Sequence, residues 1–158
     1  MAKESTPANI KFQSTRFGEL EVPMDSTIDI VFGLIGFPAL RRYVLLDYNP
    51  PFSWLQCVEA PELAFVVVNG AEFGDQYTFP LPYGDRDIEL QEGDEVAVVN
   101  IVSVRPDPTM TTVNLKAPLI VNLKNRRGRQ IILDDARFPT RFPLWTMDAK
   151  AEAKSTPK

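Results

Sequence analysis

Four cationic side chains, Lys124, Arg126, Arg127 and Arg129, fall within six residues in the stretch KNRRGRQ, although the net charge of the chain is −4. A basic cluster can grip phosphate or dock an acidic protein surface. It can also be the soluble tip of a hairpin that discourages edge pairing. The flanking runs LIVNL and IIL are aliphatic, whereas a single-strand nucleic-acid site needs aromatic platforms beside a basic groove. The hairpin reading of 124–129 is therefore preferred, with Gly128 expected to supply the positive φ of a tight turn. The opposite charge gathers upstream: from Glu59 to Glu95 there are ten acids against one base, Arg86, while Lys116 to Arg141 carries seven bases against two acids. Glu72, Asp75, Asp85 and Asp87 are interleaved with Phe73, Tyr77, Phe79 and Tyr83. Acids alternating with aromatics at a strand edge suit a basic, amphipathic protein partner.

Catalytic chemistry finds little material. The chain has no histidine, which removes the commonest general base and transition-metal ligand. Its one cysteine, Cys57, lies in the apolar run WLQCV and reads as a core thiol, so neither an internal disulfide nor a multi-cysteine zinc site can form. Asp134 and Asp135 are adjacent, so on a strand they point to opposite faces and make a poor acid/base pair; they read as turn or capping residues. Neither GxGxxG nor GxxxxGK[ST] occurs. No cofactor and no metal are expected, and catalysis that depends on histidine or on clustered cysteines is set aside.

The elements that must position these residues read as strands. Fourteen prolines and ten phenylalanines in 158 residues are poorly tolerated by a helical bundle and accepted by short strands and turns. Runs rich in Val, Ile, Phe and Tyr predict about eleven strands: 10–14, 18–22, 28–32, 43–47, 53–58, 63–69, 77–81, 96–104, 111–115, 119–123 and 130–133. AFVVVN and VAVVNIVSV are apolar almost throughout, so their strands should be covered on both faces. In PPFSWLQC the alternation of Phe52 and Trp54 reads as a strand sealing the core. DRDIELQEGDE is the one plausible short helix, with Asp85 as N-cap and Gly93 as stop. Asn-Leu-Lys occurs at 114–116 and again at 122–124. The polar ends read as flexible tails, 1–8 and 147–158, the latter with a frayed turn in DAKAEAK. The expected architecture is all-β, one barrel-like domain over 9–146. Nothing resembles a signal peptide or an apolar span of bilayer length, which places the protein in the cytoplasm with no membrane partner.

TRFGELEV (15–22), FGLIGFPALRRYVLL (32–46), FSWLQCVEAPELAFVVV (52–68) and NLKAPLIVNLKNRRGRQIILDDARF (114–138), in this order, resemble the flagellar assembly factor FliW family. Trp54, Leu55, Gln56, Asn114, Pro118, Asn122 and Gly128 carry the motif. The chain departs from the family pattern at Ile35-Gly36-Phe37-Pro38, usually Pro-Gly-Phe-Glu, at Cys57 and Ala136, commonly Ser, and at Phe138 and Phe142, commonly Tyr and His. The resemblance implies a non-enzymatic, barrel-like cytoplasmic protein with two partners. One is flagellin; the other is the translational repressor CsrA, which the free protein would antagonise. It implies a monomer when free and no direct contact with nucleic acid. On this view Glu72, Asp75, Asp85 and Asp87 face CsrA, and Phe73 and Tyr77 border an apolar groove for flagellin. The rival from another class is a nucleic-acid-binding barrel of OB type using hairpin 124–129. A carboxylate enzyme without histidine would instead need strongly perturbed carboxyls in a concave pocket.

Overall fold

The computed structural model describes residues 8–144. The tails expected at 1–8 (Ala8 apart) and 147–158, and the turn in DAKAEAK, lie outside the described residues. Eleven strands are present. Strands β1 (Asn9–Ser14) and β2 (Gly18–Pro23) form an antiparallel hairpin. The others are β3 (Ile28–Ile30), β4 (Arg42–Asp47), β5 (Phe52–Cys57), β6 (Ala64–Asn69), β7 (Val96–Ser103), β8 (Thr112–Val113), β9 (Leu119–Asn122), β10 (Arg127–Gln130) and β11 (Phe142–Pro143). Strand β7 is the longest and closes the sheet. One of its edges pairs with β6; along the other, Val96–Val99 pair with β9 and Val102–Ser103 with β8. The result is a closed seven-stranded barrel in the order β3-β4-β5-β6-β7-β9-β10, extended beyond β7 by β8 and β11. Only the β3–β10 contact is parallel among the pairings of this sheet.

Period-two alternation fills two cores. Inside the barrel, Ile28, Tyr43, Leu55, Cys57, Val67 and Val121 interlock. On the outer face of β6 and β7, Val68 and Val102 meet Val113, Leu115, Leu133, Phe138 and Leu144. AFVVVN and VAVVNIVSV are therefore covered on both sides, as their continuous apolar character predicts. The alternation of β5 works the other way round from the expectation: Leu55 and Cys57 seal the interior, so Phe52, Trp54 and Gln56 point outward. Gln56 is nevertheless buried, because the β1–β2 hairpin covers it. It accepts a hydrogen bond from Ser14 Oγ (2.8 Å) and its amide donates to the carbonyls of Cys57, Pro61 and Leu63.

Three other expectations are corrected. Residues 77–81 are not a strand; this proline-bounded segment packs its aromatics over the second core. The last aliphatic strand runs over 127–130, three residues earlier than expected, because Arg127–Gln130 pair with Asn122–Leu119. Ile131 and Leu133 continue the line only by single bonds to the carbonyls of Pro118 and Lys116. Residues 85–93 form successive turns instead of a helix. Glu89, at φ 54, ends the helical sense, and burial of both Ile88 and Leu90 is better served by a tight turn than by a helical face.

Candidate functional site

The basic and acidic segments meet each other. The turn at 123–126 is made by Arg126, whose φ is 62, and not by Gly128. Gly128 lies within β10 and is buried. A Cβ there would sit 3.3 Å from the Ile120 carbonyl oxygen and from side-chain atoms of Leu119 and Val121, so the barrel wall needs glycine for close approach. The β9–β10 hairpin thus carries its cations on a strand and turn that the acidic loop 84–94 packs against. Arg129 donates to Asp85 (2.7 Å) and reaches Asp87 (3.4 Å); Arg127 pairs with Glu89 (3.1 Å) and Lys124 with Asp94 (3.4 Å). Asp85 is the hub, its side chain 9% exposed, and it also accepts from the Asp87 and Ile88 amides. Asn122 and Asn125 donate to the Ile88 carbonyl, tying the loop to the same hairpin. Glu59 is also engaged internally, accepting from the Arg41 and Arg42 amides.

The four acids singled out from sequence therefore divide. Asp85 and Asp87 belong to the internal charge belt. Glu72 and Asp75 sit exposed within the 3-10 segment Gly70–Gln76, on either side of a kink at Gly74 (φ 74), and their carboxylates have no polar partner among the described residues. Asn69 caps that turn by accepting from the Ala71 amide (2.8 Å). Phe73 points the other way. It packs edge-on against Tyr77 (5.8 Å) and Phe142 (6.1 Å), while Tyr77 packs against Phe79 and Phe138 at 5.1 and 5.0 Å. The Tyr77 hydroxyl donates to the Leu115 carbonyl and accepts from Asn100 Nδ2. Burial pushes its phenol up to about 12, the bond from Asn100 opposing the shift. Phe73 and Tyr77, both half-buried, thus roof the second core.

Asn114, Asn122 and Pro118 serve local chain geometry. Asn114 accepts from the Lys116 and Ala117 amides and Asn122 from the Lys124 amide, so both copies of Asn-Leu-Lys place an asparagine that turns the chain at its own position. Pro118 presents its carbonyl to Ile131. Cys57 is buried, and that burial pushes its thiol up, away from reactivity. Asp135 shapes a turn, accepting from the Arg137 amide and guanidinium, which hold its carboxyl down at about 2. Among the described residues no group of three His, Cys, Asp or Glu could hold a metal ion, and no helix is long and apolar enough to cross a membrane.

Two surface features had no clear sequence signal. Trp54, half-buried outside β5, has the Arg16 guanidinium 4.2 Å from its ring centroid and touches Phe17 and Tyr48. Phe32 and Ile35 are exposed beside β10: the Arg129 guanidinium lies over Phe32 at 4.9 Å, and the Ile35 amide donates to Gln130. Both depend on contacts between segments far apart in the chain.

The model of the FliW protein family matches residues 11–144. The chain belongs to the FliW family. A flagellar assembly factor FliW of Bdellovibrio bacteriovorus is 39% identical over 136 residues, covering 84% of this chain and 78% of its own length. That of Geobacter sulfurreducens is 37% identical over 142 residues, 89% of each. A crystal structure of the flagellar assembly factor FliW superposes with a TM-score of 0.74 at 28% identity, covering 85% of this chain and 96% of the other. Members of this family are non-enzymatic assembly factors.

Proposed function

We propose that this protein is a cytoplasmic flagellar assembly factor that binds flagellin and, when not so engaged, binds and antagonises the translational repressor CsrA. Family membership supports the assembly role, and the observation that carries the CsrA half is the exposed pair Glu72 and Asp75, flanking the Gly74 kink with no polar partner among the described residues. An RNA-binding protein is itself basic, so an acidic turn would attract it and repel RNA phosphate nearby. The switch requires only that one partner weaken the other, and negative coupling of about 3 kcal/mol gives a preference of roughly 150-fold. The rival nucleic-acid reading loses ground because Lys124, Arg127 and Arg129 are held by the chain's own carboxylates.

Calorimetric titration against the host's CsrA, its flagellin and the flagellin leader RNA tests this. Binding to both proteins, with flagellin and CsrA excluding each other and RNA giving no heat, is expected. Binding to RNA alone would overturn the proposal and return the function to the basic hairpin.

A further inference from the structure

A cleft of about 360 Å³ lies beside the β9–β10 turn, lined by Met24, Asp25, Thr27, Asp29, Arg42 and residues 124–127. Most of its charges are already matched. Lys124 is held by Asp94, Arg127 by Glu89, and Asp29 by Arg41. Arg42 and Arg126 differ: neither has a carboxylate within ion-pair distance among the described residues. Arg42 Nη1 donates to the Thr27 hydroxyl (2.8 Å), and Arg126 Nη2 donates to the Ser26 carbonyl (2.7 Å). Both guanidiniums are thus anchored on the same two residues, 26 and 27, by neutral acceptors that leave each planar fork with spare donors and its full charge.

Two guanidiniums that line one cleft and are held at residues 26–27 add their positive fields there, and a guanidinium fork matches the oxygens of a tetrahedral oxyanion. The backbone supports the same reading. Arg126 occupies the left-handed region, which is uncommon for a residue with a long side chain, and its amide is fixed to the Asn122 carbonyl (2.8 Å). This conformation carries its side chain back across the hairpin to 26–27. Asp25 is the one lining acid without a partner among the described residues, so it offsets only one of the two cations.

We propose that this cleft binds a phosphate-class oxyanion, either free phosphate or the terminal group of a small phosphate monoester, through Arg42 and Arg126. The site is independent of the acidic turn at 72–75 and of the partner switch.

The test follows the side-chain Nε–Hε resonances of the labelled full chain while inorganic phosphate, ribose 5-phosphate or sodium chloride is added at matched ionic strength. Saturable shifts at Arg42 and Arg126 with either phosphate, and none with chloride, are expected. Arg42→Gln and Arg126→Gln should each weaken binding about tenfold or more, and Arg42→Lys, which keeps the charge but loses the fork, should weaken it less. Tighter binding of the ester than of phosphate would identify the esterified group as the ligand; equal binding would identify the free ion. Shifts that track ionic strength alone, or glutamine variants that keep a native backbone spectrum and undiminished affinity, would overturn the proposal.

Discussion

Asp85 and Asp87 stand two residues apart and touch the same arginine, yet they should behave differently on removal. Asp85 is nearly enclosed, bonds Arg129 at 2.7 Å and caps two backbone amides, so Asp85→Ala removes an ion pair and the acceptor of both amides. A loss of about 1–2 kcal/mol in urea unfolding is expected. Asp87 is half exposed and 3.4 Å from Arg129, and Asp87→Ala should cost less than about 0.5 kcal/mol. Equal effects would mean that the belt is not organised around Asp85. Gly128→Ala supplies a second check, since a methyl 3.3 Å from three atoms of β9 requires those neighbours to give by a few tenths of an ångström. About 1–3 kcal/mol of destabilisation is expected in the same assay; a neutral result would show that β10 can shift outward.

The stretch 70–79 and the strands beneath it form a roof whose polar seam is Tyr77 and Asn100. Its phenol, ordinarily near 10, is pushed up to about 12 by burial. A raised folded value means that this group's stabilisation is complete below pH 10 and drains away as the pH climbs from 10 towards 12. Ultraviolet titration should show the Tyr77 phenolate appearing only in that upper window, with thermal stability falling over the same range. In Tyr77→Phe that part of the alkaline loss should vanish, at a cost near neutral pH of about 1–2 kcal/mol for the hydrogen bonds given up to Leu115 and Asn100. These elements also show what sequence could convey. Nine of the eleven strands predicted from alternation and punctuation are present in place, because each one's apolar pattern is written within its own few residues. Residues 77–81 alternate just as well, but Tyr77 meets Phe138 from the far end of the chain, and no local pattern announces that. Gly128 misled for a similar reason: a glycine after a basic run looks like a turn, and only the nearness of β9 shows it to be a wall.

The sequence shows two opposed blocks of charge and says nothing of whether they touch. In the folded molecule, four of the ten acids between 59 and 95, namely Asp85, Asp87, Glu89 and Asp94, neutralise Lys124, Arg127 and Arg129. The field available to a partner is therefore set by what remains, which includes the exposed Glu72 and Asp75 on either side of the Gly74 kink. Reversing both, as Glu72→Lys with Asp75→Lys, leaves every described ion pair intact and should preserve the melting temperature. If CsrA docks there, the association rate should fall by about tenfold or more at low salt, with a flatter dependence on ionic strength and a smaller change in dissociation. Reversal at Asp85 would weaken binding too, but through unfolding of the 84–94 loop, and its melting temperature would fall in step. Stopped-flow association measured beside thermal melts separates the two. An unchanged low-salt rate in the folded double variant would move the CsrA surface off this turn, leaving the exposed aromatic cluster around Trp54 and the Phe32–Ile35 face as the surfaces to be mapped next.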